Sequence, residues 1–261
     1  MSIFWFSFFC VGFTVATIGY LIARKVKLMA IVDTIWTSGL GLSALIYHST
    51  QDLETVRSWV VLLIILSWSF RLSYHLFKDR IIPGHEDSRY KALAEHWGDR
   101  GPRNFYFLFL AQIVFIALFL LPITVAMENP AQGWALSDTL AVLIAIVAMG
   151  GEALADRQLA AFRSNPENKG GVCRDGLWRY TRHPNYFFEW LHWFAYLFFA
   201  LGSASAWLAL SGPVVMFIFL RFLTGVPYAE RSSLESRGDA YRQYQKTTNA
   251  FFPWIPRNQS A

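Results

Sequence analysis

Cysteine and charge are both scarce in this chain of 261 residues. The two cysteines, Cys10 and Cys173, are too few for a disulfide framework, and they form no metal-binding spacing. Charged residues make up only 16% of the chain, and no internal repeat, low-complexity linker or second-domain boundary is visible. We therefore expect a single domain over residues 1–261, without disulfide bonds or a bound metal.

Apolar residues, by contrast, make up 54% of the chain and aromatic residues 17%. Such a composition, with apolar runs of about 20 residues, is typical of helical membrane proteins. Seven stretches are long enough to span a bilayer: 3–23, 28–48, 58–77, 105–127, 134–156, 187–205 and 207–227. The sequence thus predicts an all-α integral membrane protein with seven transmembrane helices.

The basic residues predict the orientation of these helices. Of the 23 lysines and arginines, 20 lie in 24–27, in 78–104, in 157–186 or after 228, whereas the alternate connections 49–57, 128–133 and 203–206 contain only Arg57. Because basic residues accumulate on the cytoplasmic side, we expect the amino terminus outside and the carboxyl terminus in the cytoplasm. No basic residue precedes the first apolar segment, so we expect an uncleaved helix rather than a secretory signal. Basic residues scattered along a membrane surface favour membrane lipids as neighbours and do not favour nucleic acid.

Several ionisable side chains fall inside the predicted spans, where charges are costly and default to functional roles. They are Asp33, Arg71, Glu152, Asp156, Glu189, His192 and Arg221. The structural alternative is that these charges pair within the bundle, for example Asp33 with Arg71. So many of them together favour a functional site over structural pairing alone.

The most informative stretch is 179–190, where charged and amide side chains stand at the start of an apolar segment. Pro184 suits the first helical turn, which places Arg182 and His183 at the positive end of a helix, where anions bind. Asn185, Glu189 and Trp193 follow at i, i+4 and i+8, so they are expected to form one stripe. This pattern is typical of a cofactor site with phosphates at its rim.

The connection before this stretch is rich in arginine and glycine. Residues 157–183 contain five arginines beside Gly170, Gly171 and Gly176. An arginine offers a bidentate fork to phosphate oxygens, so this composition favours a polyphosphate ligand. Positive-inside bias and lipid headgroup contacts are the alternative explanation, but they do not account for Asn185 and Glu189.

Residues 176–189 resemble the carboxyl-terminal signature of the steroid 5α-reductase family and its bacterial relatives and, more distantly, that of the delta-14 sterol reductases. Residues 238–256, a Tyr-containing segment that runs into an apolar, proline-rich ending, are similar to the end of that family. The spacing from Asp156 to Arg163 also matches a family element, so the resemblance covers roughly the last 110 residues. The amino-terminal half is similar only in topology and in an acidic residue on the second span.

The resemblance implies NADPH as the cofactor, bound from the cytoplasmic side of a seven-helix bundle. With the basic residues of the connection added, the candidate cofactor-binding set is Asp156, Arg163, Arg174, Arg179, Arg182, His183, Asn185, Tyr186, Glu189, Trp193 and Tyr244. The His-rich piece of the steroid enzymes' seventh helix has no counterpart here, and residues 227–231 stand in its neighbourhood. Because the match is closest to the bacterial branch, we expect a bacterial inner membrane.

The implied reaction is reduction of a carbon–carbon double bond conjugated to a ketone. The cofactor supplies the hydride, and a donor aimed at the ketone oxygen lowers the barrier. The resemblance implies an acid and a tyrosine for this role; we nominate Asp33, whose burial favours a neutral, proton-donating form, and Tyr74. The substrate is expected to be flat and lipophilic, like a Δ4-3-oxosteroid, and to enter from the lipid.

Two other classes of function stay open. The Arg-His-Pro-x-Tyr pattern also occurs in membrane methyltransferases of the isoprenylcysteine and phospholipid types, which use S-adenosylmethionine. Asn185, Glu189 and the seventh span favour the reductases. The third class is a sterol-binding scaffold without catalytic activity, which would bind NADPH but turn over no enone.

Overall fold

The computed structural model describes residues 2–257, and within them the chain is helical without strands. The helices are α1 (Ser2–Val26), α2 (Ile31–Thr50), α3 (Val56–Leu76), α4 (Ser88–Trp97), α5 (Gly101–Met127), α6 (Leu136–Ser164), α7 (Pro184–Ala200), α8 (Ala206–Ala209), α9 (Ser211–Ile218) and α10 (Val226–Thr247). Short π-helical turns, Phe77–Ile81 and Phe219–Leu223, extend α3 and α9. Helix α7 begins at Pro184, which confirms the predicted start.

Five helical segments of the described chain are long and apolar enough to cross a membrane. They are Ile3–Val26, Val56–Ile81, Ser88–Met127, Leu136–Ser164 and Ala206–Thr247. These segments confirm an α-helical, multi-pass integral membrane protein. The predicted spans 28–48 and 187–205 correspond to α2 and α7, which are helical but not among the five; the count of seven and the orientation stay predictions.

Within residues 2–257 the chain divides into two compact units, one of residues up to Ala135 with 199–211, and the other of 136–198 with 212–257. Compact units need not fold separately, so this division does not decide the number of domains. The single domain over 1–261 stays a prediction.

In the first unit, α2 and α3 pack closely. A Cβ atom at Gly41 would lie 2.3 Å from Ser69 Oγ, so the absence of a side chain there permits the approach. Ser69 Oγ donates to Thr37 O at 2.7 Å. Between apolar helices such hydrogen bonds replace contacts that water would supply elsewhere.

Arg57, the single basic residue of the connections 49–57, 128–133 and 203–206, is buried in the first unit. Its guanidinium donates to the carbonyl oxygens of Asn129 (3.4 Å), Ala131 (2.7 Å) and Gly133 (3.0 Å). The Asn129 amide in turn donates to Phe199 O at 2.8 Å. Arg57 therefore holds the connection between α5 and α6. Because this contact accounts for Arg57, its location does not conflict with the predicted accumulation of basic residues on the other side.

In the second unit, the segment before α7 pairs with the chain that follows α10. Arg182 N donates to Asn249 O at 2.9 Å, and Trp254 N donates to Tyr180 O at 2.9 Å. Thr181 Oγ1 donates to Phe251 O at 2.9 Å. The last part of the chain thus fixes the position of the 179–183 segment.

Candidate functional site

The predicted stripe on α7 forms in the second unit. Trp193 Nε1 donates to Glu189 Oε1 at 3.1 Å, and both side chains are buried. One turn earlier, Asn185 Nδ2 lies 3.4 Å from Asp156 Oδ1 on α6. The sequence-predicted residues Asp156, Asn185, Glu189 and Trp193 therefore form two contacting pairs on successive turns of α7, which we call the row.

The Asn185 amide is incompletely satisfied. Its Oδ1 atom is buried and has no hydrogen-bond partner within residues 2–257. A buried acceptor without a donor costs about 1–3 kcal/mol, so such an atom is a candidate contact for a ligand. A carboxamide group would satisfy it, since its N–H donates to an amide oxygen.

A second pair of polar side chains lies further along α7. His192 Nε2 and Tyr196 Oη are 2.8 Å apart, and both residues are fully buried. Tyr196 was not among the predicted site residues. The only sequence signal for this pair is its i, i+4 spacing, which also describes an ordinary helix contact.

Arg182 has a different environment from that expected of a phosphate-binding residue. Its Nε donates to Glu230 Oε1 at 2.6 Å, and its Nη1 donates to Gln245 O at 3.2 Å and to Thr248 O. Only 9% of the side chain is exposed. Most of its donors are thus used to hold α10 against the segment before α7.

His183 and Tyr244 join the same contacts. His183 Nε2 lies 3.3 Å from Glu230 Oε1, and its ring stacks on Tyr186 at 5.3 Å. Burial lowers the pKa of His183, and the hydrogen bond to Glu230 does not restore it, so the imidazole is neutral at pH 7. The Tyr244 hydroxyl donates to Trp178 O and lies 3.4 Å from Thr181 O. These residues fix the turn that starts α7.

The other three arginines of the set face outward. Arg163 and Arg179 are exposed. Arg174 is exposed as well, with Nη2 donating to Ala240 O at 2.6 Å and its guanidinium 5.4 Å from the centre of the Tyr244 ring. These three side chains are accessible to an anionic ligand, in contrast to Arg182.

In the first unit, Asp33 lies in the first turn of α2 rather than deep within a span. Its Oδ2 accepts from Arg80 Nη1 at 2.5 Å and Arg89 Nη2 at 2.7 Å, and its Oδ1 accepts from the Tyr90 hydroxyl at 2.5 Å. Both oxygens are therefore occupied, and the partner is not Arg71. Two guanidinium groups and one phenol therefore surround this carboxyl group.

The connection between α3 and α4 completes this network. Burial raises the pKa of Asp87, but the hydrogen bond and charge of Arg89, with the charge of Arg80, outweigh it and hold the pKa below its ordinary value. Glu86 accepts from the backbone N–H groups of Met29 (2.5 Å) and Ala30 (2.9 Å), directly before α2. Residues 80–90 are thus fastened to the start of α2.

Tyr74, the nominated catalytic tyrosine, stands apart from this network. Its side chain is 58% exposed, and its ring stacks on Phe70 at 6.2 Å. The phenol that contacts Asp33 is Tyr90, which lies 57 residues away in the chain. No sequence pattern predicts that pairing, since Tyr90 lies in the polar stretch between the predicted spans 58–77 and 105–127.

The structure so far defines a multi-pass helical membrane protein with a buried polar row on one helix. The family model described as "Protein of unknown function (DUF1295)" matches residues 19–248, and the chain belongs to this family. It is also similar to "Uncharacterized protein C594.04c" of Schizosaccharomyces pombe, at 26% identity over 262 residues, covering 85% of this chain and 72% of that protein. No solved structure matches.

Proposed function

We propose that the protein is an NADPH-dependent membrane reductase that reduces a conjugated carbon–carbon double bond of a lipophilic, steroid-like enone. The observation that carries this proposal is the row of Asp156, Asn185, Glu189 and Trp193, which includes the unsatisfied Asn185 Oδ1. A nicotinamide carboxamide has the donor that this oxygen lacks. The resemblance of residues 176–189 to the steroid 5α-reductase signature supports the same cofactor.

In this proposal the exposed Arg163, Arg174 and Arg179 bind the phosphates of NADPH. Arginine forks suit phosphate oxygens, and three of them favour the cofactor with the extra phosphate over NADH. Arg182, held by Glu230, is a positioning residue that keeps the start of α7 in place. His183, Tyr186 and Tyr244 have the same supporting role.

The chemistry requires a hydride from the cofactor and charge relief on the ketone oxygen. Asp33 and Tyr74 stay predictions for the second task. Since both oxygens of Asp33 already accept hydrogen bonds, a catalytic role would require it to lose one of them. The proposal therefore rests on the second unit alone.

The test is a titration of the purified protein with NADPH, NADH and S-adenosylmethionine, followed by turnover of a Δ4-3-oxosteroid. We expect NADPH to bind most tightly. Asn185→Leu should weaken NADPH binding about tenfold or more, because one hydrogen bond to a ligand in a buried site is worth about 1.5 kcal/mol. The matched control is Asn165→Leu, an exposed asparagine directly after α6 whose side chain accepts from Glu167 N.

Each other result has a defined meaning. Binding of S-adenosylmethionine in place of NADPH would show a methyltransferase, and NADPH binding without turnover of any enone would show a scaffold. If Asn185→Leu and Asn165→Leu bind NADPH with equal affinity, Asn185 does not contact the cofactor.

We also propose the seven-span topology with the amino terminus outside and, for the cell, a bacterial inner membrane. The distribution of basic residues supports the proposed sides of both the amino terminus and the carboxyl terminus. Reporter fusions in the 128–133 connection and at the carboxyl terminus, Ala261, which lies outside the described residues, should give opposite signals. Equal signals would refute it.

A further inference from the structure

The chain after α10 exposes large apolar side chains in an ordered arrangement. Phe252 is 48%, Trp254 70% and Ile255 76% exposed, whereas the adjacent Phe251 is buried. Three large apolar side chains exposed within four residues form a patch of the kind that marks contact with a membrane or a protein.

This patch has a fixed backbone. Phe252 packs on Phe217 with ring centres 5.8 Å apart, and on Trp190 at 5.5 Å. Trp254 N donates to Tyr180 O at 2.9 Å, and Arg257 N donates to Thr247 O at 2.8 Å. The exposed side chains are therefore held outward by the contacts of their own backbone and neighbours.

The apolar face of a membrane-spanning segment continues directly into the patch. Phe217 belongs to the candidate span Ala206–Thr247, and on that segment Val214, Ile218 and Phe222 are exposed at i, i+4 and i+8. Side chains with this spacing share one face of a helix, and in a spanning helix an exposed apolar face contacts lipid. Because Phe252 lies against Phe217, the patch borders that lipid-facing surface.

The charges beside the patch fit the headgroup region. A cavity of about 110 Å³ next to it is lined by Arg182, Lys246 and Arg257 together with uncharged residues, and among residues 2–257 no carboxylate lines it. Tyr180, also exposed, pairs with the Trp254 backbone. Tryptophan and tyrosine prefer the boundary between headgroups and acyl chains, and basic residues are attracted to anionic lipid phosphates.

We propose that Phe252, Trp254 and Ile255 insert at the boundary between lipid headgroups and acyl chains, with Lys246 and Arg257 contacting lipid phosphates. The occupant of this patch is thus the bilayer surface. Since the same segment pairs with residues 180–182, this insertion holds the start of α7 at the membrane surface. The inference does not depend on the proposed reductase activity.

The experiment places a nitroxide label at position 254 or 255 (Trp254→Cys or Ile255→Cys) in a Cys10→Ala/Cys173→Ala background. The full chain is reconstituted in phosphatidylcholine vesicles, with or without phosphatidylglycerol. The matched control is Glu235→Cys on α10, which lies after the end of the predicted span 207–227 and has a side chain that is 65% exposed among polar residues. Power saturation then compares collisions with oxygen, which concentrates in lipid, and with a nickel chelate, which stays in water.

We expect labels at 254 and 255 to collide with oxygen and to be protected from nickel, and the label at 235 to show the reverse. A label at 254 as accessible to nickel as the control would place the patch in water and overturn the proposal. Protection from both reagents would show a protein partner or a second copy of the chain, and would overturn it as well. Phosphatidylglycerol should increase the preference of the label at 254 for oxygen, and Lys246→Gln/Arg257→Gln should abolish that increase. An increase that persists in this variant would contradict the proposed contacts of Lys246 and Arg257 with lipid phosphates.

Discussion

Replacing Asp33 by alanine distinguishes a structural role of this carboxylate from a catalytic one. The substitution removes the acceptor that Arg80, Arg89 and Tyr90 share, and leaves both arginines with Asp87 as their only remaining carboxylate in the network. We expect the first unit to lose stability, because the start of α2 and the 80–90 connection are joined through this carboxylate.

The size of the loss follows from the exposure of the pair. Breaking a fully buried ion pair costs about 3–5 kcal/mol, whereas an exposed pair contributes at most about 1 kcal/mol. Asp33 is 19% exposed and the two arginines 27% and 26%, and Asp87 still neutralises part of their charge. We therefore expect a loss of about 2 kcal/mol in the free energy of unfolding, between these limits.

The assay is thermal unfolding of the detergent-purified protein, followed by tryptophan fluorescence. A loss of about 2 kcal/mol corresponds to a fall of about 4–8 °C for a chain of this size. Asp33→Asn keeps an acceptor for one arginine and should lose less. The matched control is Asp79→Ala on the same connection, 54% exposed and paired only with His75 at 3.5 Å, which should unfold within about 0.5 kcal/mol of the wild type.

A different pattern would refute this reasoning. If Asp33→Ala unfolds at the wild-type temperature but no longer reduces a Δ4-3-oxosteroid that the wild type reduces, Asp33 is catalytic. If neither property changes, the network has no role in either.

Three further predictions concern the second unit. Glu230→Gln should lower the temperature of thermal unfolding by several degrees, because it removes the carboxylate that pairs with the buried Arg182. Glu235→Gln, on the exposed side of α10, should leave that temperature unchanged. Because the folded pKa of His183 lies below its ordinary value of 6.5, stability is full above that pH and should fall as the pH decreases below it; His183→Gln should flatten this dependence. Tyr244→Phe should cost about 1–3 kcal/mol in the free energy of unfolding, since it leaves buried carbonyl oxygens without a donor.

The sequence predicted the part of the row that lies on α7 because the spacing of those residues is local. Pro184 marks the helix start, and a spacing of four residues places Glu189 and Trp193 in contact whatever surrounds them. The contact from Asn185 to Asp156 joins two helices, and the sequence reached it only through resemblance to a family in which both residues bind the cofactor. Local periodicity therefore defines one helix face, and a second source is needed for its neighbour.

The partners of Asp33 were not predicted, for the opposite reason. Hydropathy predicts a span from residue 28, and Asp33 lies in the first turn of α2, which begins at Ile31. Glu86 caps the residues before that start, and Tyr90 contributes the phenol. These partners lie more than 50 residues away in a polar connection, where no periodic pattern identifies which side chain turns inward.

The arginines show what charge counting leaves out. A count of basic residues treats Arg57 as an exception to the positive-inside pattern and Arg182 as part of it. Both side chains are nevertheless buried, and both donate to backbone carbonyl oxygens at helix ends or in connections. A guanidinium that satisfies several carbonyl oxygens removes the cost of unpaired backbone groups at the ends of membrane helices. Such an arginine has a structural role, whichever side of the membrane it lies on. Arg163, Arg174 and Arg179 have exposed side chains, and for this reason the proposed preference for NADPH should depend on these three residues rather than on Arg182.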